Sequence, residues 1–324
     1  MKITTKLLQE KQAGSIGVEK FIEHFPSGEA KYQDVLDKLA ELNDVRTAVW
    51  LLRTIGKTDR VLEIDGNIER TSLFFAGSIR ATGFIKVDFS IMAGGGIYAR
   101  EGIEVGEGIY AREGIEAGEG INAGCGIKAG DGINAGWGIN AGDGICAGWG
   151  INAGDGINAG WGINAGWGIK AGERICAGDG IEVGWRIYAG DGIEAGEGIK
   201  AGADIKAGEG IKAGYGINAG EGIYAGDGIV AGNGVGARKG IKAGCGLKAG
   251  WSIAAGGSIE VGEGIEAGDG IYAGWGTEAG NDFGIFAGLR IQLSRWSTYA
   301  RVSAKIKPKN LVSGFWVEPS EVLK

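Results

Sequence analysis

The chain has 324 residues, 68 of them glycine and only 3 proline, a glycine excess without the proline of collagen or of a proline-rich linker. A hydrophobic fraction of 44% excludes a chain too polar to bury a core. No apolar run reaches the ~18 residues of a membrane span, and a single histidine argues against histidine-based catalysis or metal binding. The formal charge of −7 is uneven, with −11 over residues 73–282 and +5 over residues 283–324. An acidic middle repels nucleic acid and favours basic partners.

Residues 1–60 read as a helical N-terminal module. The opening stretch, Met1-Lys2-Ile3-Thr4-Thr5-Lys6, leads into no apolar signal core, so a cytoplasmic protein is expected. Three apolar stripes predict three short helices over residues 17–56: Val18, Phe21, Ile22 and Phe25; Tyr32, Val35, Leu36, Leu39 and Leu42; then Val45, Val49, Leu52 and Ile55. Gly56 closes the third as a C′ residue. A module of about 60 residues is marginal alone, so it is expected to dock on the rest of the chain, as a cap or as a recruiter of a partner.

Residues 61–282 are one repeat. Val61-Leu62-Glu63-Ile64 leads in, and from Leu73 to Ile271 every sixth residue is aliphatic, 34 positions without a break. The consensus is Ile-x-Ala-Gly-x-Gly, as at residues 133–138. Ile and Ala two apart point to one side of a strand and the residue between them points outward. Gly-x-Gly is expected to turn the chain through positive φ. A period of six fits no helix, and this much glycine would melt one. The fold class is therefore mainly β: a parallel β-solenoid of stacked hexads.

Eighteen residues per coil would give three sides and twelve would give two. The alternation Asp131, Trp137, Asp143, Trp149, Asp155, Trp161 favours twelve. Outward charges favour eighteen: Lys86–Glu104, Glu182–Lys200, Glu194–Lys212, Lys242–Glu260 and Lys248–Glu266 are opposed at that offset, against the like pair Glu260–Glu278. Three sides are preferred, which makes a rod of about 55 Å at a rung spacing of ~4.8 Å.

Residues 283–324 read as a C-terminal β cap with a basic tail. Phe283 breaks the consensus, and strand-like alternation comes after it over residues 299–306. Open rung ends expose unpaired backbone groups and need cover, so little end-to-end polymerisation is expected.

No catalytic constellation emerges. The glycines never form the dinucleotide fingerprint, and Gly56-Lys57-Thr58 lacks the first glycine of a P-loop, since Leu51 stands there. His24 has no histidine to pair with, and Cys125, Cys146, Cys176 and Cys245 form no CxxC pair, so they read as free thiols. No metal and no cofactor are expected, and the chain reads as a non-enzyme. The least ordinary residues are tryptophans at the hexad corner, Trp137, Trp149, Trp161, Trp167 and Trp185, with Trp251 and Trp275. They either cover the turns or form an adhesive edge for another protein or a second copy. Corner acids Glu101, Glu107, Glu113 and Glu119 concentrate negative charge near the start of the repeat.

The long Gly-Ile-x-Ala-Gly-x run after Phe21-Ile22-Glu23-His24-Phe25-Pro26 resembles phage- and prophage-type hexapeptide-repeat solenoid proteins. At fold level it is similar to bactofilins and pentapeptide-repeat proteins. The resemblance implies a phage-encoded binder that inhibits a host protein. Residues and resemblance together predict a protein-interaction protein whose partner is a host protein or itself, as a homodimer through the solenoid edge. Direct nucleic-acid binding and membrane association are not expected. The alternatives are a DNA mimic that inhibits a DNA-handling enzyme, and a self-assembling scaffold.

Overall fold

A computed structural model describes residues 1–318. The chain divides into two compact units, residues 1–148 and 149–324.

The first unit opens with a short strand, β1 (Lys2–Thr4), then α1 (Thr5–Glu10), α2 (Ser15–His24), β2 (Glu29–Lys31), α3 (Tyr32–Glu41) and α4 (Val45–Ile55). The three expected helices are present. Periodicity does not reveal α1 or the antiparallel pairing of β1 with β2, where Lys2 faces Lys31. Thr4 caps α1 by accepting from the Leu7 N–H, and Asp44 caps α4 by accepting from the Thr47 N–H. Gly56 ends α4 with φ +96°, a conformation that favours glycine. The Tyr32 hydroxyl donates to the Gly56 carbonyl at 3.2 Å. Burial holds that phenol well above the usual tyrosine range, against the opposing pull of Arg112.

The first coil begins at Val61–Ile64, which already pairs in parallel with Ser78–Ala81. From there each strand pairs with the strand three hexads on. Ile85 lies against Ile103 and Ile103 against Ile121; in the second unit Ile187 lies against Ile205 and Ile205 against Ile223. An 18-residue register with six-residue sides makes the solenoid three-sided, as the charge pairs indicated. All five opposed pairs form, at 2.8–3.6 Å. The interior holds the Ile and Ala columns, with Ile115, Ile157 and Ile223 fully buried.

The helical module is not placed as an end cap alone. Outward positions on the first coils are apolar here: Phe74 and Met92 are buried in one cluster with Leu36, Leu51 and Leu52, and Tyr110 packs against it. The module braces one side of the solenoid through these residues. The Gln33 side-chain amide donates to the Phe74 carbonyl and accepts from the Ala76 N–H, pairing with that edge in the manner of a strand.

The repeat glycines act through size rather than positive φ. Among described glycines only Gly28, Gly56, Gly66, Gly288 and Gly314 have positive φ, and none is a corner of the regular repeat. Instead, the first glycine of each Gly-x-Gly meets the previous coil. A Cβ on Gly172 would stand 1.8 Å from the Gly154 carbonyl oxygen, and one on Gly118 would stand 1.9 Å from that of Arg100. The second glycine is roomier: a Cβ on Gly180 would be 3.2 Å from the Gly198 oxygen. Arg174, Arg186, Asp204, Ser252 and Ser258 occupy that second place elsewhere.

Beyond residue 282, where a β cap with a basic tail is expected, strands continue to pair on the coil. Ile285–Phe286 pairs with the side of Ile265, Arg301–Ser303 with the side of Ile271, and Phe315–Val317 with Arg301–Ser303. A 3₁₀ turn (Leu293–Arg295) running into α5 (Trp296–Tyr299) is inserted between the first two of these. Trp316 pairs in register with Val302 and donates its indole N–H to the Ala304 carbonyl at 3.1 Å.

Two substitutions separate the glycine roles. Gly172→Ala forces a coil apart and is expected to cost about 1–3 kcal/mol, the usual range for overpacking. Gly180→Ala needs only a few tenths of an ångström and is expected to change stability by less than about 1 kcal/mol. Thermal melts of both variants check this; equal melting temperatures contradict it.

Candidate interaction surface

The 18-residue register decides which corner residues meet. In the second unit Trp149, Trp167 and Trp185 fall on one corner in consecutive coils, joined by backbone hydrogen bonds of 2.9 and 2.6 Å from each N–H to the preceding carbonyl. Their ring centroids are 6.2 and 5.9 Å apart with planes 23° from parallel. The indoles remain 63%, 59% and 43% exposed. The ladder ends at Ala203, next on that corner. Arg186 lies over the Trp185 ring at 5.6 Å and is held by Asp204 at 3.4 Å.

The other tryptophans lie elsewhere. Trp161 and Trp251 share a second corner of that unit, and Trp275 is on the ladder's corner but separated from it by Ala203, Glu221, Lys239 and Gly257. In the first unit Trp137 comes after Glu101 and Glu119 on one corner. The corner tryptophans, read from the sequence as turn covers or an adhesive edge, are a three-residue ladder plus dispersed rings. The alternation of Asp and Trp every twelve residues distributes them, because 12 does not divide 18.

The side after the ladder carries residues that sequence reasoning did not single out. Its outward positions run Lys170, Tyr188, Lys206, Tyr224 and Lys242 in adjacent coils. Lys206 lies over the Tyr188 ring at 5.9 Å. The corner beyond that side is acidic: Asp155, Glu173, Asp191, Glu209 and Asp227 succeed one another coil by coil. Scoring every outward residue at offset 18, rather than charge pairs alone, would have exposed all three columns.

The four corner acids near the start of the repeat do not act together. Glu101 and Glu119 share a corner, but Glu107 accepts from Asn43 (3.2 Å) and from Ser90 (3.0 Å), and Glu113 pairs with Lys57. Glu113 raises the Lys57 pKa by accepting its hydrogen bond. Glu107 and Glu113 thus tie the helical module to the first coils, and are not part of a free acidic end. The module itself holds an apolar groove of about 830 Å³ between α2, α3 and α4, lined by Phe21, Leu39, Trp50 and His24 among others.

All four cysteines are free thiols. Lost hydration, then the carboxylates of Asp143 and Glu107, hold the exposed Cys125 thiol above the ordinary range. Cys176 and Cys245 are raised as well, chiefly by lost hydration. No group of three or more His, Cys, Asp or Glu able to hold a metal ion occurs among the described residues.

Residues 1–57 match the YdhT N-terminal domain family. No curated protein and no solved structure matches the chain. The likeness to phage-type repeat proteins, bactofilins and pentapeptide-repeat proteins rests on the sequence pattern.

A raised pKa leaves less thiolate at neutral pH, and thiolate is the reactive form. Cys125 is therefore expected to react slowly with a disulfide reagent near pH 7 despite its exposure, and faster as pH rises through its pKa. Asp143→Asn removes one raising charge and should speed the reaction at fixed pH. Stopped-flow rates on a chain keeping only Cys125 provide the check; a rate independent of pH and of Asp143 counts against this account.

Proposed function

We propose that this chain is a non-enzymatic interaction protein whose solenoid binds another protein through the Trp149–Trp167–Trp185 ladder and the adjoining lysine–tyrosine side. The carrying observation is three large rings left half exposed on consecutive coils. Aromatic side chains with low conformational freedom are the commonest source of interface energy. A binder of phage type acting on a host protein in the cytoplasm fits this surface, with the helical module either bracing or recruiting.

The acidic corner supports a second reading, a DNA mimic. At a rung spacing of ~4.8 Å, one carboxylate per coil is sparser than the negative charge of duplex DNA, one per ~1.7 Å. Lys170, Lys206 and Lys242 stand beside it on the adjoining side and weaken its field. The aromatic reading is therefore preferred.

Affinity capture from host extract with intact chain as bait tests both. Trp167→Ala is expected to weaken the captured partner by about 2 kcal/mol or more, with modest salt dependence, while Trp137→Ala leaves it unchanged. Loss with Asp191→Asn and high salt, but not with Trp167→Ala, overturns the reading in favour of the mimic. Catalytic turnover abolished by one point substitution overturns both.

A further inference from the structure

The patch beside the tryptophan ladder is rich in hydrogen-bond donors and poor in acceptors. The indole N–H groups of Trp149, Trp167 and Trp185 make no hydrogen bond among the described residues. The register sets them against one column of the adjoining side, where Lys170, Tyr188, Lys206 and Tyr224 follow coil by coil. All four are exposed. Lys170 and Lys206 make no ion pair among the described residues, and both tyrosine hydroxyls can donate. The acceptors nearby are engaged: Asp204 holds Arg186 at 3.4 Å, and Glu221, farther along the ladder's corner, pairs with Lys239 at 3.1 Å. Backbone groups of these coils bond from coil to coil, as the Ile187 N–H does to the Asp204 carbonyl.

We propose that the occupant of this patch is a proline-rich segment in the polyproline II conformation, an inference that rests on the ladder being an interaction surface. A partner here must bring acceptors. Acidic peptides and nucleic acids do so as anions, but the next corner carries Asp155, Glu173, Asp191, Glu209 and Asp227 coil by coil. These carboxylates outnumber the two free lysines and repel an anionic chain. Nucleic acid would also stack its bases on open ring faces, whereas the indoles stack on one another and Arg186 covers Trp185. A proline-rich segment is neutral, and each proline carries a carbonyl but no N–H. Its backbone is preformed with those carbonyls turned to solvent, and aromatic-lined surfaces are a recurring receptor for such segments. The dimensions agree. One polyproline II turn rises ~9.3 Å and two coils rise ~9.6 Å, so successive turns meet equivalent rungs.

Isothermal titration calorimetry of the intact chain with a capped ten-residue proline peptide is the test. That peptide extends ~31 Å, the height of about six coils. Binding is expected, little changed by salt, and absent with a glycine–serine peptide of equal length. Trp167→Ala is expected to weaken it about thirtyfold. Tyr188→Phe removes one donor and keeps the ring, and should weaken it about three- to tenfold. Trp137→Ala should leave it unchanged, and all three variants should keep the wild-type melting temperature. Tighter binding of a ten-residue glutamate peptide overturns the proposal in favour of an acidic partner. No binding of the proline peptide, with a protein captured from extract still lost on Trp167→Ala, overturns the proposal but not the interaction reading. Indifference to Trp167→Ala in both assays overturns both.

Discussion

One close contact recurs through most coils of the solenoid, although Arg100, Arg112 and Arg238 take the same place and donate the same backbone hydrogen bond. The first glycine of each corner lies so close to the carbonyl above it that a Cβ would come within 1.7–2.0 Å in most coils. The same glycine donates its N–H to the alanine carbonyl of the previous coil, as Gly172 does to Ala153 and Gly190 to Ala171. Contact and hydrogen bond together lock each coil 18 residues from the last. A slip of one residue would turn the Ile and Ala columns outward, and would bring a side chain against that carbonyl. The glycine content that first looks like disorder is the price of close-stacked coils.

From that register the surface emerges by arithmetic. Any residue type recurring every 18 positions becomes a column with ~4.8 Å spacing, and columns interact. Glu182–Lys200 and Glu194–Lys212 both close at 2.8 Å, and Lys212 lowers the pKa of Glu194 by its hydrogen bond and charge. Exposed pairs of this kind contribute about 0–1 kcal/mol each, far less than burying an isoleucine, at roughly 1.5–3 kcal/mol. The isoleucines therefore hold the fold, and the charges decorate a register already set.

This division explains what was legible in the sequence. The hexad predicts the solenoid because its inward pair is nearly invariant along the chain. The five opposed charge pairs predict three sides because the offset that scores them is the coil length itself. The glycine conformation was misjudged, since positive φ is a local property whereas the actual constraint comes from a neighbouring coil 18 residues away. The pairing of β1 with β2 spans 27 residues between two three-residue strands, too short to show a period. Phe74 and Met92 stand at outward positions where the repeat is usually polar, a departure that went unread although it marks the side the helical module covers. The partners of Glu107 and Glu113, Asn43 and Lys57, come from a helix end and a loop whose packing no periodicity encodes.

A repeated surface has one weakness as a binding site: it offers a partner the same contact in many registers. Specific recognition needs departures from the repeat, and at the corners a glycine accepts a side chain most readily where a Cβ has room. The second glycine of each corner is such a place, with 3.1–3.3 Å available in most coils. Arg174, Arg186 and Asp204 use it in three nearby coils. Arg186 and Asp204 pair with each other, and Arg186 covers the last ring of the tryptophan ladder. The ladder, its arginine lid and the tyrosine at Tyr188 then form a stretch that recurs nowhere else among the described residues of the second unit. The same steric preference that makes the solenoid monotonous thus favours the places where a distinctive patch can be built.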